Sequence, residues 1–155
     1  MTVYIETSVV SYYVSRPSRD LIVAAHQQIT HEWWNHGLGR FEAFVSDLVV
    51  EEVSAGDTDA VARRLEAVDR FEVLETTATA EQLATRYLER IPILESAVRD
   101  AFHLAIASAS MMDYLVTWNC AHIARAEVRQ AVRRENEALG LEPVTICTPE
   151  ELLGE

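Results

Sequence analysis

Short apolar runs rich in β-branched residues alternate along the chain with longer segments in which apolar residues recur every three or four positions. The short runs predict five strands, at residues 2–5, 41–45, 71–74, 114–117 and 144–147. The longer segments predict helices, and glycine or proline marks several of their ends. Among them are a helix that starts at Ser18, a helix capped by Ser46 and a helix over residues 121–138. Strands that alternate with helices are typical of an α/β domain, so we expect a five-stranded, mostly parallel sheet flanked by helices. Residues 1–155 are expected to form a single domain, because the chain contains no repeat or linker.

The main candidate for a functional site lies at the carboxyl edge of the predicted sheet, where open parallel sheets bind their ligands. Glu6 follows the first strand, and Asn119 follows the fourth. Glu52 and Asp100 lie on predicted helices that can lean over the same edge. Asp100 shares a helix face with His103, because residues three positions apart are neighbours on a helix. We therefore expect three carboxylates and one amide to lie close together.

Carboxylates placed together repel one another unless a cation or a shared proton lies between them. Oxygen ligands favour Mg²⁺ or Mn²⁺, and such ions activate water and bind the oxygens of a phosphodiester during its displacement. Each acid taken alone also has a structural interpretation. Glu6 then becomes a solvated turn residue, Glu52 part of an exposed helix face, and Asp100 a favourable charge at a helix amino end. Their joint position is what indicates a metal site.

The charge of the chain excludes some functions and complicates another. All 13 basic residues are arginines, and 25 acidic residues give a net charge of −12. Without lysine, the chain has no P-loop, no Schiff base and no receiver-type phosphoacceptor site. An excess of acid argues against a nucleic-acid partner, unless bound cations or a local arginine patch neutralise the phosphates.

Further features concern the compartment and a different metal site. No apolar run is long enough to span a bilayer and no basic leader precedes one, so we expect a cytoplasmic protein without membrane contact. The two cysteines, Cys120 and Cys147, are expected to be reduced. A zinc site is a weaker alternative, because Cys120 and His122 lack the usual ligand spacing. That site would also use His103 and Asp100, whereas we expect both histidines to pack or hydrogen-bond inside the domain.

Four short motifs, in their order along the chain, resemble those of the PIN-domain ribonucleases and look closest to the toxin branch of bacterial toxin–antitoxin modules. The motifs are Tyr4-Ile-Glu-Thr-Ser8, Ser46-x5-Glu52-Val53, Asp100-x2-His103-x-Ala105-x-Ala107 and Leu115-Val-Thr-x-Asn119. The resemblance implies a five-stranded parallel sheet flanked by helices, and a Mg²⁺- or Mn²⁺-dependent endonuclease that hydrolyses RNA. It also implies homodimers and an antitoxin protein that blocks the site.

Carried over residue by residue, the resemblance implies that Glu6, Glu52 and Asp100 are catalytic acids and metal ligands. Glu6 takes the place of an acid that is usually aspartate. Asn119 stands where the family usually has a fourth aspartate, and it would assist through its amide oxygen. An active ribonuclease is the favoured interpretation, and the alternative is a catalytically degenerate PIN-like module that binds or regulates a basic partner.

Candidate RNA contacts follow the first motif. Arg16 and Arg19 come soon after the turn at Glu6, so we nominate them to hold RNA phosphates at the rim of the site. Thr7 and Ser8 match the polar residue that follows the first acid in the family, and they are the remaining candidate substrate contacts.

Overall fold

The computed structural model describes residues 1–154 and contains a five-stranded sheet in the order β3-β2-β1-β4-β5. The strands are β1 (Thr2–Ile5), β2 (Glu42–Ser46), β3 (Glu72–Leu74), β4 (Tyr114–Val116) and β5 (Thr145–Cys147). All four neighbouring pairs are parallel. Val3, Tyr4 and Ile5 of the central strand are fully buried, as expected for a parallel strand covered on both faces. The predicted α/β fold is confirmed, and the sheet is entirely parallel.

Seven α-helices in residues 1–154 flank the sheet. They are α1 (Thr7–Val14), α2 (Leu21–Glu32), α3 (Asp47–Val53), α4 (Thr58–Val68), α5 (Ala78–Arg90), α6 (Val98–Ala109) and α7 (Ala126–Ala138). A π-helical turn (Trp33–Gly37) continues α2, and short 3₁₀ segments occur at Leu38–Arg40, Pro92–Leu94 and Glu150–Leu152. None of these helices has the length and hydrophobicity required to span a bilayer.

Two helix starts show how local side chains set the boundaries. Ser46, the last residue of β2, caps α3 as predicted, because its hydroxyl accepts a hydrogen bond from the N–H of Val49 at 3.1 Å. Ser18 is the sequence-predicted start of α2, but Asp20 caps that helix instead. The Asp20 carboxylate accepts two backbone N–H groups of the first turn, at 3.0 Å each. A charged acceptor at a helix amino end is favoured by the helix dipole as well.

The register of the central strands brings two polar segments together at the carboxyl edge. Ile5 of β1 pairs with Val116 of β4, and the N–H of Glu6 donates to the carbonyl of Val116 at 3.1 Å. Glu6 and Thr117 therefore leave the sheet side by side. α6 lies close to this edge through small residues such as Ala105 and Ala107, which are fully buried.

The segment after β4 differs from the predicted helix over residues 121–138. The side-chain oxygen of Asn119 accepts from the N–H of His122 at 3.0 Å, and its carbonyl accepts from the N–H of Ala124 at 2.8 Å. These contacts close a turn, so α7 begins only at Ala126. Both cysteines are free thiols, as expected, with Cys147 buried and Cys120 exposed.

Candidate active site

Glu6 is a buried carboxylate at the junction between β1 and α1. Its side chain accepts a hydrogen bond from the Thr117 hydroxyl, with 2.6 Å between Oγ1 and Oε2. The Ser8 hydroxyl donates to the same oxygen. Only 5% of the residue is exposed, and no group in residues 1–154 donates to its other oxygen, Oε1. Two hydroxyls therefore fix the carboxylate and leave one oxygen available to a ligand.

Glu52 lies on α3 and is held from two other elements. Its Oε1 accepts from the Thr7 hydroxyl at 2.7 Å and from Nε2 of His103 at 2.6 Å. Burial acts to raise the pKa of Glu52, but the hydrogen bonds from His103 and Thr7 and the charge of nearby Arg99 outweigh it. The pKa of Glu52 therefore lies below its usual value. The carboxylate is thus held in its ionised form.

A buried series of hydrogen bonds connects Glu52 with His103, Tyr4 and Ser46. His103 on α6 is 1% exposed, and its Nδ1 lies 2.6 Å from the hydroxyl of Tyr4. The Tyr4 hydroxyl lies 2.8 Å from the Ser46 hydroxyl, which itself accepts from the N–H of Val49. Burial raises the pKa of Tyr4 well above its ordinary value, so the phenol stays neutral. If Nε2 of His103 donates to Glu52, then Nδ1 accepts from Tyr4 and Tyr4 accepts from Ser46. Each polar side-chain atom in this series of hydrogen bonds then has a partner.

Glu6, Glu52 and His103 form the one group of possible metal ligands found in residues 1–154. One ligand atom from each lies within 4.8 Å of the others, and Nε2 of His103 is 3.9 Å from Oε1 of Glu6. Carboxylates suit Mg²⁺ and Mn²⁺, whereas imidazole is more typical of zinc and other transition metals. Because Nε2 is already hydrogen-bonded to Glu52, we interpret His103 as the group that orients this carboxylate. The two glutamates then fit a hard cation with oxygen ligands.

Asp100 belongs to a neighbouring cluster, one helical turn before His103 on α6. Its Oδ1 accepts from Nδ2 of Asn119 at 3.0 Å, and its Oδ2 lies 2.8 Å from Nδ1 of His122. The predicted convergence of all three acids is therefore only partly reproduced, because Asp100 is not in the group formed by Glu6 and Glu52. Its two hydrogen bonds hold it in place beside that group.

Asn119 contacts this cluster in a different way from the one predicted. Its amide oxygen accepts from the backbone N–H of His122, and its amide nitrogen donates to Asp100. The oxygen that was predicted to assist at the site is therefore engaged in capping a turn. Asn119 acts on Asp100 through its nitrogen. The weaker zinc alternative gains no support, since Cys120 is absent from the one ligand group in the described residues.

The predicted substrate contacts have two different environments. Thr7 and Ser8 point to the acids, where their hydroxyls hold Glu52 and Glu6. Arg16 and Arg19 are exposed in the connection between α1 and α2, and neither forms an ion pair within residues 1–154. Nothing in this geometry ties the two arginines to the carboxylates.

The sequence did not identify Tyr4, Ser46 and Thr117 as residues that orient the acids and His103 through their hydroxyls. Ser46 was predicted only as a helix cap. The signal for Tyr4 was present, because a hydroxyl inside a fully buried strand needs a hydrogen-bond partner. Its partner could not be named, since His103 is 99 residues away in the sequence.

A protein-family model described as a PIN domain matches residues 3–119 of the chain. The matched span is well over half of the chain, and it includes Glu6, Glu52, Asp100 and Asn119. No curated protein matches the sequence.

Proposed function

The chain belongs to the PIN-domain family, whose members are generally nucleases, and on this premise we propose that it is a metal-dependent endoribonuclease. The observation that carries the proposal is the pair of carboxylates formed by Glu6 and Glu52 at the carboxyl edge of the sheet, with Asp100 held beside them. Such an edge is where a parallel α/β sheet binds its ligand. The product would be RNA cut by hydrolysis of a phosphodiester bond.

Glu6, Glu52 and Asp100 would hold Mg²⁺ or Mn²⁺, which would activate a water molecule and stabilise negative charge on the phosphate. The surrounding side chains orient these acids. Hydroxyls position Glu6, and His103 positions Glu52. Asn119 and His122 position Asp100. Hydrogen bonds of this kind stabilise the charged form of a carboxylate and so prepare it to bind a cation.

We further propose that the protein is the toxin of a toxin–antitoxin pair, with a partner segment that blocks the carboxylates through an arginine or a lysine. Such charge-assisted contacts are strong and often bidentate. Within the chain, Nη1 of Arg99 lies 3.9 Å from Oε2 of Glu52, which is an ion pair without a hydrogen bond. This ion pair supports the proposal, because it places a guanidinium group next to the carboxylate.

A homodimer is proposed on the same family basis. Support comes from the start of α2, where Leu21 is 86% exposed and Ile22 is 71% exposed. Adjacent exposed apolar side chains of this size are suited to a protein contact. The molecular mass of the purified protein in solution, measured by light scattering, tests this part of the proposal.

A binding or regulatory module without cleavage is the second candidate. The observation that favours it is Asn119, which removes one negative charge from the site and engages Asp100 with its nitrogen. A site with fewer charges attracts a divalent cation less strongly. Its acidic groove would then bind a basic protein segment.

One experiment separates the two candidates. Purified protein is incubated with mixed single-stranded RNA in Mg²⁺, in Mn²⁺ and in EDTA, together with Asp100→Asn and the control Asp59→Asn, whose side chain is exposed on α4. The enzyme should cut RNA only with a divalent cation, and Asp100→Asn should lose this activity while Asp59→Asn retains it. Absence of cleavage in every metal favours the binding module, and cleavage that survives in Asp100→Asn indicates a contaminating nuclease.

A further inference from the structure

A cavity of about 450 Å³ lies beside the carboxylates, on the β2–β3 side of the sheet edge. It is open to solvent and is lined by α3, by α6 and by the segment that follows β3. Its apolar wall consists of Leu48, Val98 and Phe102. Val98 is 50% exposed, so the wall is accessible to a ligand from solvent. The cavity has the size to hold a planar group of the dimensions of a nucleobase.

Arg99 is the one cation in the polar lining of this cavity, which also includes Asp47, Glu51 and Thr76, and it connects the cavity with the proposed active site. Its Nη2 lies 2.9 Å from Oε1 of Glu51, and its Nη1 lies 3.9 Å from Oε2 of Glu52. The side chains of Arg99 and Glu51 are 56% and 66% exposed. Exposed ion pairs contribute little to stability. Arg99 can therefore leave Glu51 for a phosphate at small cost.

We propose that this cavity binds one nucleotide of single-stranded RNA next to the phosphate that is cut, an inference that rests on the proposed nuclease function. The base packs against Phe102 on the wall formed with Leu48 and Val98. Arg99 exchanges Glu51 for the adjoining phosphate. Arg99 and Phe102 are then RNA-binding residues, which position the RNA relative to Glu52.

Two observations support a nucleotide as the occupant. First, RNA needs a local cation to approach the acids, because the net charge of −12 repels its phosphates. Arg99 is such a cation, and it is within 3.9 Å of Glu52. Second, an arginine beside an aromatic ring is the combination by which proteins bind single-stranded nucleic acid, through the phosphate and through stacking of the base.

Binding of 5′-fluorescein-labelled RNA tetramers tests the proposal, measured by fluorescence anisotropy with Ca²⁺ in place of Mg²⁺ over a range of salt concentrations. Arg99→Gln should weaken binding about five- to tenfold and lower the slope of log K against log salt by about one. Phe102→Leu should weaken binding about tenfold, through loss of stacking. Val98→Asp should weaken it to a similar extent, because it places a negative charge on the cavity wall. Matched controls are Arg134→Gln and Leu139→Asp, at exposed positions on and just after α7.

Phe102 is partly buried against the core, so each variant is also checked for its thermal midpoint. Val98→Asp keeps the test valid if Phe102→Leu fails to fold, because position 98 is half exposed in the first turn of α6, where an acid is favourable. RNA affinities of Arg99→Gln and Val98→Asp equal to those of their controls would overturn the inference. Unchanged RNA affinity in variants that no longer bind a protein partner would also overturn it, and would assign the cavity to that partner.

Cleavage of RNA by the wild-type protein is measured in parallel, in Mg²⁺ and in Mn²⁺. Wild-type cleavage with variant affinities equal to the controls removes the nucleotide site and leaves the nuclease function standing. Weakened RNA binding in the variants without cleavage by the wild type removes the nuclease function and retains the cavity as an RNA site. The two failures are thus distinguishable.

Discussion

Replacement of Asn119 by aspartate perturbs the hydrogen bond between Asn119 and Asp100, beside the proposed metal ligands. In the structure, Nδ2 of Asn119 donates to Oδ1 of Asp100 at 3.0 Å, while Oδ1 of Asn119 accepts from the N–H of His122. A carboxylate retains the second contact, because its oxygen accepts equally well. The new carboxylate cannot donate to Asp100, so the first contact is lost and two carboxylate oxygens face each other.

The cost follows from this distance. Two negative charges ~3 Å apart repel by roughly 5 kcal/mol at an effective dielectric constant of about 20, and the variant also loses a hydrogen bond to a charged group worth about 1.5–3 kcal/mol. Solvent and rotation of the new side chain reduce the repulsion, since the Asp100 side chain is 19% exposed. We expect the free energy of unfolding to fall by about 2–4 kcal/mol at about pH 8.

The loss should be smaller in mild acid. The variant carboxyl group at position 119 holds a proton more tightly in the folded protein than in the unfolded chain, because the proton relieves the repulsion. The folded state then binds more protons, so the stability of the variant falls as the pH rises. Urea denaturation in EDTA at about pH 5 and about pH 8 measures the difference. Asn35→Asp is the control, because it adds the same charge at an exposed residue.

A divalent cation should reverse the effect. Two adjacent carboxylates bind a divalent ion better than a carboxylate and an amide do, so Asn119→Asp should bind Mn²⁺ more tightly than the wild type in a calorimetric titration. Equal unfolding free energies of variant and wild type at both pH values would refute the contact with Asp100. Indistinguishable dissociation constants for Mn²⁺ would place position 119 outside the metal site.

Three further predictions concern the acids and the free arginines. Millimolar Mn²⁺ should raise the thermal midpoint of the wild-type protein, because a ligand that binds only the folded state stabilises it. The Glu52→Gln, Asp100→Asn double variant should lose most of this rise, and an equal rise in both proteins would indicate general screening of the −12 charge. In EDTA, acidification below pH 4.5, the usual pKa of a glutamate, should cost the wild type more stability than Glu52→Gln. The pKa of Glu52 is lowered in the folded protein, so its contribution to stability is lost as the pH falls from 4.5 through this lowered pKa. Parallel denaturation profiles of the two proteins would contradict this. Replacing Arg16 and Arg19 by alanine should weaken RNA binding and flatten its salt dependence, because two phosphate contacts are removed; identical binding at every salt concentration would exclude them as contacts.

The sheet was predictable because its strands are short apolar runs that alternate with helical segments along the sequence. The predicted first strand, residues 2–5, has the bounds of β1. The strand predicted at residues 41–45 is shifted by one residue at both ends, and the other three differ by one residue at one end. The prediction was wrong where a side chain competes with the helix. Over residues 121–125 the sequence is compatible with a helix, but Asn119 binds two N–H groups of this segment and closes a turn. Competition of this kind depends on atomic positions that hydrophobic periodicity does not report.

The site was predictable in its location and less so in its internal contacts. Glu6 and Glu52 follow adjacent parallel strands, directly or at the end of a short helix, and topology alone brings them to one edge. Asp100 could not be placed relative to them, because its position depends on hydrogen bonds from Asn119 and His122. The role of His103 depends on the same kind of contact, since it reaches Glu52 from α6, 51 residues further along the sequence.

Hydrogen-bond donors around the three acids decide how this site meets a cation. Glu6 accepts hydrogen bonds from two hydroxyls, and Glu52 accepts them from a hydroxyl and an imidazole. Asp100 accepts them from an amide and an imidazole. Each donor stabilises a negative charge, so the acids are held in place without a cation. Oε1 of Glu6 accepts no hydrogen bond within residues 1–154 and is available to a cation, whereas the bonded oxygens of the other acids share their charge with their donors. Asn119 removes a charge and adds a donor to Asp100. The missing charge lowers the attraction for a divalent ion, and we therefore expect the wild-type site to bind Mg²⁺ weakly.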